Sequence, residues 1–388
     1  MSSSHVPHWL KPVACLWGSL CLLALVESAQ PISTCGMAYG TVNETTLYVF
    51  GGAQYTGGNV TNATTQFYAL DLIQTGWSTS NPPWTMIWYP TSFLPIGTSG
   101  FQYSMSLSPE NTILSLWGAD GDNMLNKYYI GGDFWESTTI VNTVFGAGLS
   151  AVTDPTTGLV YFPGGGASYS DMKVFDPNTE LITSAPSSSS VVTGNSYYSF
   201  VWSSWRNSFI YFTGDVGAVN PFYEFTPSTG QWSQMVTSGP TPPLQYRSCL
   251  VSASYGTKMI LFGGDDNSVS TSSLYILDVP TMTWSRATSA SEARSGMACA
   301  VSGDRFVVWG EYHDFISQGF EALDSTTRIG VSTVPLVYNL YSELWITTDP
   351  HYDQTLLPPI VHGPQSTADP ETVASDQELL EQIKSLQA

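Results

Sequence analysis

The chain has 388 residues, is 42% hydrophobic and only 11% charged, and its 11 Lys and Arg against 31 Asp and Glu leave a formal net charge of −20. That hydrophobic content excludes a disordered chain, and the acidity excludes a nucleic-acid partner, because no basic footprint exists to neutralise phosphates. With 34 Gly, 21 Tyr and 13 Trp, and no sustained helical periodicity, the composition reads as an all-β extracellular protein.

Residues 1–29 have the pattern of a secretory signal peptide. His5, His8 and Lys11 lead into the apolar run VACLWGSLCLLALV, and small residues around Ser28 and Ala29 offer a cleavage site. The run covers residues 13–26, short of the roughly 20 residues that cross a bilayer, so no membrane span is expected in the mature chain. Three N-x-Ser/Thr sequons, at Asn43, Asn59 and Asn62, agree with secretion and are the expected glycosylation sites. Loss of the signal leaves Cys35, Cys249 and Cys299, an odd number with no metal-knuckle spacing. No metal is expected, and the fold must be held mainly by its core.

From residue 30 onward one segment recurs, an apolar strand ending at glycine: TLYVFGGAQ, TILSLWGAD, GLVYFPGGGA, SFIYFTGDV, KMILFGGDD and RFVVWGEYH. After the first interval the copies follow one another every 45 to 50 residues. A second segment follows each, with a polar or aromatic residue (Asp71, Tyr129, Asp176, Thr226, Asp278, Asn339) six positions before a terminal Trp77, Trp135, Ile182, Trp232, Trp284 or Trp345. Each copy reads as four short antiparallel strands that must stack on their neighbours, with the large Trp filling the gap between sheets. Gly131–Gly132 is a glycine doublet out of place, inside the second half of copy two.

The aromatic-Gly-Gly strand with a downstream Trp resembles the kelch-repeat β-propeller, a fold also seen in the central domain of galactose oxidase, and the arrangement is most similar to secreted or membrane-anchored fungal kelch proteins. The resemblance spans residues 30–350 and implies a six-bladed, all-β propeller of four-stranded antiparallel blades. Ring closure would set blade 1 beside blade 6, making Cys35 and Cys299, both near the opening strands of those blades, candidates for a disulfide clasp. Buried free thiols are the competing reading, and Cys249 holds the place in blade 5 equivalent to that of Cys299.

Residues 351–388 break the pattern: a Pro-rich acidic linker of the disordered type leads to SDQELLEQIKSLQA, with Ser375 and Glu378 as a capping box and Leu379, Leu380, Ile383 and Leu386 on one face, which reads either as a fraying tail or as a short docking helix. Ligand binding is expected in the loops that follow the glycine-ended strands. The two longest belong to blades 1 and 6, neighbours in a closed ring, and the latter carries Glu311, Tyr312 and His313. Asp120, Asp122, Asp215, Asp265 and Asp266 recur in the same loop set, either as an acidic rim or as ordinary turn residues. Tyr197, Tyr198, Tyr246 and Arg247, near the entrances of the first strands, could stack on sugars or anchor a peptide, and core packing explains them as well.

The galactose oxidase resemblance implies a copper site with two His. The mature chain offers only His313, His351 and His362, two of them outside the repeats, so that site cannot be assembled and no cofactor is expected. No nucleophile elbow, zinc-protease motif or sialidase-type Asp box is present. The leading expectation is a secreted binding module for a protein or a cell-surface or cell-wall glycan, without catalytic residues. The alternative is a carbohydrate-active enzyme using loop carboxylates, whose required spacing is spatial.

Overall fold

The structure, a computed structural model, describes residues 30–56, 59–90, 104–117, 124–140, 150–164, 172–185, 197–213, 221–266, 269–310 and 333–347. The signal-peptide and tail expectations, at 1–29 and 351–388, lie outside them. Among the described residues there is no helix, and the strands form six four-stranded antiparallel sheets and one small hairpin.

Blade 1 takes β1 (Ala38–Val42), β2 (Thr46–Phe50), β5 (Phe67–Asp71) and β6 (Trp84–Met86), with the hairpin β3 (Ala53–Thr56) and β4 (Asn59–Ala63) inserted. Blade 2 takes β7 (Ser104–Leu107), β8 (Ile113–Trp117), β9 (Met124–Tyr129) and β10 (Phe134–Thr139). Blade 3 takes β11 (Val152–Thr153), β12 (Val160–Phe162), β13 (Lys173–Asp176) and β14 (Leu181–Ser184). Blade 4 takes β15 (Ser199–Ser203), β16 (Ser208–Phe212), β17 (Phe222–Thr226) and β18 (Gln231–Gln234). Blade 5 takes β19 (Cys249–Ala253), β20 (Lys258–Phe262), β21 (Leu274–Asp278) and β22 (Thr283–Arg286). Blade 6 takes β23 (Ala298–Ser302), β24 (Arg305–Trp309), β25 (Leu336–Asn339) and β26 (Leu344–Ile346).

The first strands β1, β7, β11, β15, β19 and β23 contact one another in that order, and β23 returns to β1. The molecule is therefore a closed six-bladed propeller with its first strands around the axis. The second strands read as unbroken apolar runs, buried throughout in β16 and β24, because a blade between two neighbours has both faces covered. Every blade draws its four strands from one continuous stretch of chain, interrupted only by the β3–β4 hairpin in blade 1, so the ring closes without exchanging a strand between its ends.

Three wedge residues meet a ring of the preceding blade. Trp135 meets Phe67, Trp284 meets Phe222 and Trp345 meets Phe262, at centroid distances of 5.1, 4.8 and 5.5 Å. In blade 1 the wedge is Trp84, not the expected Trp77: Trp84 pairs with Leu70 as Trp284 pairs with Leu277. The reason is a longer third-to-fourth connection, in which Asp71 accepts from the amides of Ile73 and Gln74 and the last strand starts only after Pro82–Pro83. Trp77 is buried in the same core. The deepest wedge indoles, Trp84 and Trp284, have no acceptor for their N–H, so they act by apolar area. The shallower Trp135 and Trp345 donate to the carbonyls of Trp88 and Thr288 at 2.9 and 2.8 Å.

The cysteine clasp differs from expectation. Cys249 of β19 and Cys299 of β23 form the disulfide, with a Cα–Cα distance of 6.4 Å, whereas Cys35 stands outside it. The two cysteines are offset by one position in adjacent inner strands: Cys249 pairs with Phe262, whose counterpart in blade 6, Trp309, pairs with Ala298, while Cys299 pairs with Val308. The offset turns the two side chains toward each other across the seam, within bonding reach. Cys35 precedes β1 and instead exchanges backbone hydrogen bonds with Ala53.

Candidate site at the upper mouth of the central channel

Each first strand starts, and each second strand ends, on what we term the upper face of the ring. The turns joining first to second and third to fourth strands lie on the lower face. Two residues before β1, β15, β19 and β23, a belt of left-handed residues rims the axis: Gly36, Tyr197, Arg247 and Gly296, with φ of 68°, 58°, 52° and 65°. The amide of Arg247 donates to the carbonyl of Tyr197, that of Gly296 to Arg247, and that of Gly36 to Gly296, at 3.0, 2.9 and 2.8 Å. This chain of bonds runs from blade 4 through blades 5 and 6 to blade 1, and so crosses the point of closure. Glycine adopts the conformation at no steric cost, whereas an L side chain there costs about 1–2 kcal/mol. That a Tyr and an Arg occupy it places two large side chains at the channel mouth.

Inside the belt lies a cavity of about 500 Å³ lined by all six inner strands. Its walls are hydroxyls and apolar groups, among them Tyr39, Ser106, Ser199 and Val251, and Arg247 is its only charged side chain among the described residues. Burial pushes the Tyr39 phenol up to about 12, so it stays a neutral hydrogen-bonding group at physiological pH. Arg247 Nη1 lies 3.1 Å from Asp265 Oδ2, and its guanidinium stacks 4.4 Å over the Tyr197 ring. Asp265 is 1% exposed, and its backbone forms a reciprocal bridge with Tyr246 at 2.8 and 2.9 Å. The preceding Gly263 and Gly264, at φ 63° and 95°, make this possible, because a Cβ on either would strike the carbonyl of Arg294 or Tyr246.

The expected site residues thus divide. Tyr246, Arg247 and Asp265 come together with Tyr197 at the mouth. Asp266 closes its own loop by accepting from the Val269 amide at 2.9 Å, the turn role. Tyr198 is buried in the core against Tyr211. Asp120, Asp122, Asp215, Glu311, Tyr312 and His313 lie outside the described residues. Asn43 is exposed in the turn between β1 and β2, where its Oδ1 accepts from Asn111 Nδ2 at 2.7 Å. Asn59 and Asn62 fall on β4, on the upper side of blade 1. Among the described residues no three His, Cys, Asp or Glu gather as a metal site would require.

One residue escaped the sequence reading. Arg294, 0% exposed, donates to the carbonyls of Gly310 and Val334 at 3.0 and 2.7 Å and to Glu292 at 2.9 Å. It ties Gly310, just after β24, to Val334, just before β25, on the upper face. Burial lowers its guanidinium from the usual value and the Glu292 carboxylate works against that. The available signal was scarcity, since an Arg in a chain with only 11 basic residues is more informative than one of many.

Comparison with known proteins agrees with this architecture. The family model described as the KLHDC2/KLHL20/DRC7 Kelch-repeats domain matches residues 150–329. A search of curated proteins returns no match. Among solved structures, one titled "Structure of YjhT" is similar over 84% of this chain and 100% of its own, at 12% identity and a TM-score of 0.57. At that identity the likeness speaks for the fold.

Proposed function

We propose that the chain is a secreted interaction module that captures a protein or glycan ligand on its upper face, at the mouth of the central channel. Kelch-repeat propellers of the matched kind are typically protein-interaction modules, and the kelch match covers blades 3 to 5 and the first two strands of blade 6. The observation that carries the placement is Arg247: the only charged side chain among the described cavity lining, it is pre-set by Asp265 and Tyr197. A guanidinium held this way is ordered before a ligand arrives, so contact with it costs little further side-chain entropy. Secretion is supported by the signal-like 1–29, the sequons, and a buried disulfide of the kind that persists in oxidising compartments. Asp265, already engaged by Arg247, is placed as a structural partner rather than a general acid.

The test is an array of glycans and secreted proteins probed with the mature protein, followed by titration of each hit against Arg247→Lys. Lysine keeps the charge but loses the planar fork, and a loss of about tenfold in affinity is expected, in line with one hot-spot contact. Unchanged affinity with Arg247→Lys would move the site away from the channel mouth. Turnover of any glycan hit would replace the module with an enzyme.

A further inference from the structure

Three departures from the repeat, each minor alone, meet at one place. Where other blades carry Asp, Thr or Asn at the end of the third strand, blade 2 carries Tyr129. The displaced glycine doublet follows it. And blade 3 is the one blade whose wedge position, opposite Phe175 in β14, holds Ile182 instead of Trp. Phe175 faces Trp117 of blade 2 at 4.9 Å, so Ile182 faces blade 2 as well. An isoleucine is much smaller than an indole, so the wedge position of blade 3 fills less space than the Trp at that position in the other five blades.

What borders that seam is an exposed aromatic stack. Phe134, the cross-strand partner of Tyr129, lies parallel to it at 4.4 Å and 9° and is 51% exposed. Gly132 is what admits the ring, because a Cβ there would come within 2.6 Å of Phe134 Cδ1. The phenylalanine is thus held between a tyrosine ring and a bare backbone rather than left to collapse onto the surface. Carboxylates surround it. Tyr129 donates to Glu136 Oε2 at 2.6 Å, and Glu180 of blade 3 reaches Lys127 at 2.5 Å. The Tyr129 phenol is pushed up to about 12, first by the bond to Glu136, then by burial and the charges of Glu136 and Glu180. Asp133 turns to the other side of the blade, where it accepts from the Tyr128 hydroxyl at 2.9 Å, so Glu136 and Glu180 are the two carboxylates at the stack, against Lys127.

We propose that this outer, lower part of the seam between blades 2 and 3 is a second docking site, for an arginine-bearing basic segment of a partner protein. It lies on the side of the ring opposite the channel mouth. An exposed aromatic face recognises a guanidinium by cation–π attraction, and flanking carboxylates take its N–H groups. Blade 3 presents Ile182 to this seam where the other blades carry a Trp, so no wedge indole competes for the face of Phe134.

The experiment uses the full mature protein and a short fluorescent peptide of alternating arginine and glycine, read by fluorescence anisotropy at physiological salt. Saturable binding is expected, with Phe134→Ala and Ile182→Trp each weakening it about tenfold and Glu136→Gln about threefold. Asp278→Asn, on the lower face of blade 5, should leave it unchanged. Ile182→Trp restores the wedge found in the other blades, so its melting temperature should hold or rise, separating loss of the site from loss of the fold. Three results overturn the proposal: no saturable binding, wild-type affinity in both Phe134→Ala and Ile182→Trp, or an effect of Asp278→Asn as large as that of Glu136→Gln. The last would mean mere attraction to an acidic surface.

Discussion

The seams on either side of blade 6 solve the same problem by different chemistry. Between blades 5 and 6 a disulfide joins two inner strands near the axis. Between blades 6 and 1, where the ring must close, no covalent bond and no shared strand is present among the described residues. Closure there rests on Trp84 against Trp309 at 5.1 Å, on the amide of Gly36 bonded to Gly296, on Thr79 donating to the Thr347 carbonyl at 3.0 Å, and on buried Arg305 donating to the carbonyl of Leu72. The comparison teaches that a propeller's ends can be held by packing and backbone acceptors alone. It also makes blade 6 the hub of the ring, bonded covalently on one side and closing it on the other.

The largest way to break that comparison is to empty the closing seam. Trp309→Ala removes a 1% exposed indole and should cost about 3–5 kcal/mol, read as a shift in the urea midpoint. A much smaller loss would show that the Gly36, Thr79 and Arg305 contacts close the ring without the indole pair. Next comes the covalent seam. Cys249→Ala with Cys299→Ala opens a bridge spanning 50 residues, for an expected loss of about 2–4 kcal/mol. Peptide mapping without reduction should return the Cys249–Cys299 pair, and a Cys35–Cys299 peptide would contradict the seam described here. Arg305→Ala leaves the Leu72 carbonyl short of a donor in a buried place and should cost about 1–3 kcal/mol. If it unfolds the closing seam locally, amide exchange in β1 and β26 should rise while that in β19 stays slow.

The smallest effect is a pH dependence that belongs to neither seam and so serves as an internal control. Within blade 4, Glu224 accepts from Arg206 Nε and Nη2 at 2.7 and 2.8 Å and from Ser208 at 2.5 Å. Burial alone would raise its carboxyl, but those hydrogen bonds and the guanidinium charge outweigh it and hold the group below its ordinary 4.5. A depressed carboxyl binds its proton later in the folded than in the unfolded state. Its contribution is therefore complete above the unfolded value and lost as pH falls through the folded one. The wild type should lose about 1 kcal/mol more than Glu224→Gln between pH 6 and acid conditions, measured by denaturation at each pH.

Much of the architecture was legible because it is local and repeated. A glycine-ended apolar strand followed by a turn residue and a Trp recurs within each copy, so strand order and blade number follow from periodicity. Blade 1 shows the limit: Asp71 was located correctly, but the wedge is thirteen residues later rather than six, because a connection can lengthen without disturbing the strands it joins. At the candidate site, Arg247, Tyr246 and Asp265 could be named as residues near strand ends. Their union could not, since the ion pair depends on two glycines passing beneath Arg294 and Tyr246. Arg294 itself was passed over because nothing in its local sequence announces two carbonyls, sixteen and forty residues away.

The all-β class and the sixfold repeat were set by the amino-acid sequence, because both arise from interactions within some fifty residues of chain. Tertiary structure alone decided which cysteines pair, how the ring closes, and that Tyr129, Gly132 and Ile182 share one seam. Those outcomes are set by where neighbouring blades touch, and a sheet that twists around a common axis brings together residues whose separation along the chain carries no sign of it.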